Sequence, residues 1–506
     1  MNIFDALERA QIHFPNKAAL IFRGQSTTYG ELYQQACRLG AALSRRFGLQ
    51  RGDRAALFLP NIPEFVLSYY AVEKLGALAV SLNVMLKRDE VEFILRDSGA
   101  KVLITVAQFL EQVPDNISTL AGIVTVGETS QPSSVKLSEL LLEPPPSAIA
   151  SVRVESEDGA AILYTSGTTG QPKGVLLTHG NLAFNSKVTQ HHTRMTEEDR
   201  LVAYLPLFHC FGQNFIMNTS VHAGATLLLH ERFVPDEVLE STRVNQATMF
   251  FGVPAIYVRL LSQPDIESYL GSVRYYFSAA APITVETVRR WRQRFGQIIY
   301  EGYGLTETSP FASYNHDSEY REGTVGTAVE YVQIKVVNDR REGLTAGELG
   351  QVAIKGPNVM KGYFNRPEET ARVIQDGWFL TGDIGRMDTE GYLVLVDRAK
   401  DMINVSGFKV WPREVEDVLS KHSGLTESAV IGIADPVSGE AVKAFVVMKE
   451  CQRLAEQETI EFCRSHLAVY KAPHSVEFIQ ALPRNPAGKV LKRELRLREM
   501  DRKQVA

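Results

Sequence analysis

Cysteine is scarce and scattered. Cys37, Cys210, Cys451 and Cys463 are the four in 506 residues. They form no Cys-x-x-Cys pair and have no histidine at zinc spacing, so they read as reduced thiols and exclude a disulfide framework. Long apolar runs are missing too: none approaches the roughly 20 residues of a membrane span. The opening Met1-Asn-Ile-Phe-Asp-Ala-Leu-Glu8 lacks a basic stretch followed by an apolar core. The expectation is a cytoplasmic protein with no secretory signal and no transmembrane segment. Positive charge is not in excess either. A net charge of −5 argues against nucleic acid as a partner, and the locally basic stretch from Arg484 to Lys503 reads as a solvated face. The apolar and charged fractions, 44% and 22%, are ordinary for a soluble protein, and the length demands more than one core.

What is present alternates between helix and strand periodicity. Thr28 opens an amphipathic helix through Leu43, Arg54 to Pro60 reads as a buried strand, and a helix runs from Pro63 to about Leu75. A second unit from Val91 ends in the strand Lys101-Val-Leu-Ile-Thr105. Further strands are predicted near Thr226–His230, Thr248–Gly252 and Arg274–Ser278. This alternation predicts an α/β fold with largely parallel sheets. From about residue 325 short strands with Gly turns take over (Gln333–Val337, Gly350–Ile354, Gly391–Val396), which predicts a small distorted β-barrel. Beyond Asp397 come a helix (Pro412–Leu419), strands near Ser428–Ile433 and Val442–Met448, and a helix (Thr459–Leu467). The expected division is a large domain over residues 1–397 and a small α+β domain over 398–506, with no internal repeat.

The densest chemistry lies in Tyr164-Thr-Ser-Gly-Thr-Thr-Gly-Gln-Pro-Lys-Gly174. Its glycines let backbone N–H groups approach an anion. Thr165, Ser166, Thr168 and Thr169 add hydroxyl donors around Gly167 and Gly170, and Lys173 adds positive charge. The pattern predicts a loop that holds nucleotide phosphates. It is not Gly-x-x-x-x-Gly-Lys-[Ser/Thr], because Gly170 is followed by Gln-Pro. In Glu301-Gly-Tyr-Gly-Leu-Thr-Glu307 the ring of Tyr303 can stack on a purine, Thr306 can donate to a phosphate, and Glu307 can hold Mg²⁺ between phosphate oxygens. A carboxylate such as Asp383 in Thr381-Gly-Asp383 can accept two vicinal ribose hydroxyls.

These segments, in this order, resemble the adenylate-forming superfamily of acyl-CoA synthetases, peptide-synthetase adenylation domains and firefly-type luciferases. The resemblance runs from about Asn16 to Leu491. It implies that Ala280, Glu301, Gly302, Tyr303, Asp383 and Arg398 also face the nucleotide, and that Lys400 in Arg398-Ala-Lys-Asp401 is the pivot between domains. Ser406, Gly407, Phe408 and Lys409 would line the thiol's approach in the second half-reaction. Lys489, in Pro483-Arg-Asn-Pro-Ala-Gly-Lys489, would be the catalytic lysine. The chemistry needs such a cation, because carboxylate and α-phosphate are two anions that must be brought together. Pro206-Leu-Phe-His-Cys-Phe-Gly212 resembles the acyl-pocket wall, with His209 as gate or carboxylate neighbour, and Phe211, Gly212, Phe251, Ala279 and Gly304 beside it. Ser278-Ala-Ala-Ala-Pro282 departs from the family's Gly-Gly-Ala-Pro wording, which bears on acyl shape rather than reaction class.

His209 and Cys210 are not read as a nucleophilic pair, because neighbours on an extended stretch point to opposite faces. From Leu201 to Ser220 there is no acidic residue. An amino-acid substrate is therefore disfavoured, since its ammonium would be buried unpaired. The implied activity is ATP-dependent activation of a small-molecule carboxylic acid, a medium- or long-chain fatty acid, to acyl-AMP. Transfer to a thiol follows, with ATP, Mg²⁺ and CoA as cofactors. One alternative delivers the acyl group to the phosphopantetheine of a carrier protein, and another is a catalytically silent nucleotide-binding regulator. Aryl acids and a luciferase-like oxidase stay open.

Overall fold

The computed structural model describes residues 2–129, 134–144, 152–165, 171–316, 318–398, 401–449, 452, 454–485 and 488–505. Among them, the strand runs too apolar to alternate become central strands of parallel sheets, as burial on both faces requires. One eight-stranded sheet carries Arg54–Phe58, Leu78–Ser81 and Val102–Val106 side by side in parallel. A nine-stranded sheet carries Arg200–Ala203, Met249–Gly252, Tyr275–Ser278 and Ile299–Tyr303. Helix Tyr29–Phe47 starts where the Thr28 side chain and Glu31 cap each other's backbone N–H groups, and it stops at Gly48 with φ 63°.

The two sheets share one continuous core. In the eight-stranded sheet, Gly159–Thr165 pairs antiparallel with Lys173–Thr178, and Thr165 lies opposite Lys173. That hairpin differs from the strand-to-helix geometry of a P-loop. Its outer edge is covered by the two-residue strand Gly362–Tyr363.

The expected barrel is a curled half-barrel. Trp378–Met387 pairs with Gly350–Lys355, Ile374–Gln375 and Leu393–Arg398, and register shifts at Gln351/Ala353 and Ile384/Gly385 bend it. The path of paired strands has ends and does not close. Beyond it, a five-stranded sheet centred on Gly439–Met448 packs helices Pro412–Leu419 and Glu456–Arg464 around a core of its own. Other expected elements appear within a few residues of their predicted bounds, including Leu425–Asp435 for the strand expected near Ser428–Ile433. No helix among the described residues is long and apolar enough to cross a membrane.

Candidate active site

Strand Ile299–Tyr303 delivers the Glu301–Glu307 segment to the cleft, and its glycines are there for close approach. A Cβ on Gly302 would sit 2.6 Å from the Phe277 ring, and one on Gly304 would sit 1.6 Å from the Pro310 carbonyl. Tyr303 is buried and its hydroxyl donates to Asp383 Oδ2 at 2.7 Å. Asp383 Oδ1 faces Arg398 Nε at 3.1 Å, and its backbone N–H is held by Thr381 Oγ1. Three expected nucleotide contacts thus form one linked group.

Thr306 begins a short 3₁₀ turn, and its hydroxyl lies 3.4 Å from Cys210 Sγ. Glu307 accepts from the Tyr363 hydroxyl at 3.1 Å, and burial pushes its carboxyl above the usual range. The Tyr363 ring in turn lies 5.3 Å from Lys173 Nζ, which pairs with Glu369. Arg366 bonds Asp97 at 2.5 Å, and Tyr164 donates to the same carboxylate at 2.7 Å. A chain of charges and hydroxyls therefore runs from the base of the phosphate-loop hairpin to Glu307. Sequence reading missed Tyr363, Arg366, Glu369 and Asp97. Their only signal is proximity through strand Gly362–Tyr363, which pairing with Val175 and Leu176 brings beside Lys173. Thr165 and Lys173 flank the loop as expected; Ser166, Gly167, Thr168, Thr169, Gly170 and Lys400 lie outside the described residues.

The His209–Cys210 segment corrects one expectation. It is not extended: it leads into a π-helix, Phe211–Asn218, a rare form often found at functional sites. Cys210 Sγ consequently lies 3.8 Å from His209 Nδ1. The pair still makes no nucleophile, for a different reason. Burial pushes the Cys210 thiol up to about 12. Burial and the nearby Lys489 ammonium bring His209 down to about 4. Its Nδ1 accepts the Phe211 N–H, which leaves Nε2 as the protonated nitrogen of the neutral ring. Gly212 allows the helix to pass the Pro206 carbonyl, which a Cβ would meet at 2.3 Å.

Ala280 is exposed and adopts φ 68°, so an alanine stands here in the left-handed conformation that glycine favours. Ala279 beside it is half-buried. Glu301 is buried, and desolvation raises its carboxyl to about 7 against the pull of Arg413.

The Lys489 loop packs against Val253 and lies near enough to His209 for its charge to act there. Gly488 has φ 80° and packs so closely that a Cβ would stand 2.6 Å from Val253 Cγ2. Arg484 anchors the loop by donating to the Gly488 carbonyl at 2.6 Å and pairing with Glu427 at 2.8 Å. Ser406, Gly407, Phe408 and Lys409 are not brought there. They are exposed at the tip of the hairpin Ile403–Val405/Phe408–Val410, where Ser406 and Gly407 both have positive φ. Phe408 stacks on Tyr470 with ring centroids 4.7 Å apart.

Comparison with known proteins gives this geometry its context. A family described as AMP-binding enzyme matches residues 7–364, and its C-terminal domain matches residues 414–489. The long-chain-fatty-acid–CoA ligase of Bacillus subtilis (strain 168) is 35% identical, over 95% of this chain and 92% of its own length. A feruloyl-CoA synthase of Amycolatopsis sp is 36% identical over 96% of each. The anthranilate CoA ligase AuaEII, solved with anthranoyl-AMP, superposes with a TM-score of 0.92 at 30% identity, covering 98% of this chain and 97% of that one. MatB from Rhodopseudomonas palustris, 33% identical over 99% of each chain, superposes at 0.91 in its ATP-bound form and 0.80 in its apo form. Fold and site together define an adenylate-forming enzyme, and the chain belongs to the AMP-binding enzyme family. It is an AMP-forming acid–thiol ligase that makes an acyl-CoA by way of an acyl-adenylate, and ATP and CoA are substrates of its family.

Proposed function

We propose that this enzyme activates an aliphatic carboxylic acid with ATP, releases pyrophosphate, and passes the acyl group from AMP to CoA. The observation that carries the reading is the Lys489 loop seated against Val253 and beside His209 while the Ser406–Lys409 hairpin stays exposed. In this arrangement Lys489 bridges the acid's carboxylate and the α-phosphate, lowering the barrier by stabilising charge that builds on the phosphoryl oxygens. Thr306 donates to the α-phosphate. Asp383, oriented by Tyr303 and Arg398, takes the ribose hydroxyls, while Thr165, Lys173 and the loop between them take the outer phosphates. Neutral His209 presents Nε2–H to the carboxylate.

Among the described residues no three His, Cys, Asp or Glu side chains gather to hold a metal ion. That fits Mg²⁺, which binds through one or two carboxylates and the substrate's own phosphates. Glu307 is the carboxylate for it, and the ion would supply charge neutralisation of the phosphates.

The lysine loop and the Ser406–Lys409 hairpin belong to one small domain, residues 398–506, set against the large domain of 1–397. They serve different steps, so the small domain turns about 398–401, with Lys400 as pivot, between adenylation and thiol attack. The higher similarity to ATP-bound than to apo MatB supports the adenylation arrangement for the form described here. The test is acid-dependent pyrophosphate release with and without CoA. Acyl-CoA formation supports the reading. Release with no acyl-CoA points to a carrier-protein acceptor, and silence across alkyl and aryl acids overturns it. The feruloyl and anthranilate relatives keep an aryl acid as the second reading.

A further inference from the structure

We infer that the acyl tail this site accepts is short, and that a plug of phenylalanines sets the limit. The inference rests on the ligase reading above and names the substrate class of that same site.

A wedge of phenylalanine rings packs between strand Ile299–Tyr303 and the π-helix Phe211–Asn218, which follows directly on His209 and Cys210. Phe211 and Phe215 enter it from the helix, Phe251 and Phe277 from neighbouring strands, and Phe311 from the segment after Glu307. All five are at most 4% exposed. Phe215 is the hub. It stacks on Phe277 at 4.7 Å between centroids, and meets Phe311 at 5.1 Å, Phe211 at 5.4 Å and Phe251 at 5.9 Å. Carbon atoms in contact sit about 3.5–4 Å apart, so a methylene chain threading between two stacked rings needs their planes roughly 7–8 Å apart. No such gap exists between Phe215 and Phe277. The rings also lie directly on the strand backbone, since a Cβ on Gly302 would stand 2.6 Å from Phe277 and 2.9 Å from Phe311.

What lies past the plug is no better suited to an alkyl chain. The next turn of the helix carries Asn218, whose side chain donates to the Tyr69 hydroxyl at 3.0 Å and accepts from Tyr70 at 3.1 Å. A long tail would displace packed rings and then desolvate a buried polar layer, which costs unless every hydrogen bond is replaced. A tail ending at Phe211 and Gly302 does neither.

The experiment is kcat/KM for pyrophosphate release across the straight-chain series butanoate, hexanoate, octanoate, dodecanoate and hexadecanoate. It is run with the wild-type protein, Phe215→Ala and the milder Phe215→Leu. The expected result is a wild-type optimum at butanoate or hexanoate, with dodecanoate and hexadecanoate lower by about tenfold or more. Either variant that folds should move the optimum to a longer acid. A wild-type optimum at dodecanoate or hexadecanoate overturns the inference even if both variants fail to fold. So does a folded Phe215→Ala whose optimum is unmoved. Silence with every acid, aryl acids included, overturns the ligase reading itself, and the length limit with it.

Discussion

The hydroxyl of Tyr303 donates to Oδ2 of Asp383 across 2.7 Å, joining the end of a strand in the nine-stranded sheet to the half-barrel 80 residues away in the chain. The same carboxylate faces Arg398 on its other oxygen. Asp383 is thus held by a neutral donor on one side and a cation on the other.

Removing the neutral donor isolates its contribution. Tyr303→Phe keeps the buried ring and should weaken ATP binding about tenfold, on the scale of one hydrogen bond to a charged group, while changing kcat little. Pyrophosphate exchange at varied ATP measures it. An unchanged KM for ATP, with the fold intact by circular dichroism, would show that Tyr303 does not orient Asp383.

Lys489→Ala should lower acyl-adenylate formation by roughly two to three orders of magnitude and spare thioester formation from supplied acyl-AMP. The two half-reactions are assayed separately. Equal losses in both would contradict the division of labour between the lysine loop and the Ser406–Lys409 hairpin.

Gly488 tests the docked arrangement without touching the lysine. An alanine there meets Val253 and carries the left-handed penalty of about 1–2 kcal/mol. Gly488→Ala should therefore slow adenylation roughly tenfold and leave thiol attack on supplied acyl-AMP intact. A variant slowed equally in both steps would indicate a general loss of the small domain's structure.

Glu301 carries a pH signature. Its folded carboxyl is raised by burial from 4.5 to about 7. Between those values the folded protein keeps a proton that the unfolded chain has released. The associated stability is complete below the unfolded value and is lost as pH rises through about 7. Glu301→Gln should be more stable than wild type at about pH 8, by up to roughly 3 kcal/mol, with the difference shrinking toward about pH 5. Urea midpoints at the two pH values measure it, and a difference independent of pH would show that Glu301 is ionised in the fold.

Much of the architecture was legible because it is written in local patterns. The capped helix beginning at Tyr29, the apolar strands Arg54–Phe58 and Tyr275–Ser278, and the helix Pro412–Leu419 follow from periodicity and from the residues that start and stop them. The distorted barrel expected from about residue 325 is present as a curled half-barrel, although short strands with Gly turns do not encode how far such a sheet curls. The bend at His209–Cys210, expected to be extended, was not legible because nothing in the following Phe211–Asn218 announces a π-helix, whose Gly212 presses against the Pro206 carbonyl.

By itself, the sequence determined the order and chemistry of the groups proposed for the reaction: the phosphate-loop hydroxyls and Lys173, Thr306 and Glu307, Asp383, and Lys489 beside its glycine. Each lies in a short segment whose chemistry survives without knowledge of its neighbours. Only the tertiary structure decided their company. Tyr363 and Glu369 stand beside Lys173 because one two-residue strand pairs across the sheet edge. The Cys210 thiol stays protonated because it is buried. The phenylalanines pack together because four segments converge there, the π-helix supplying two of the five rings. Distances between segments, and the desolvation that shifts a pKa, are set by packing the whole chain, and no single stretch of residues contains them.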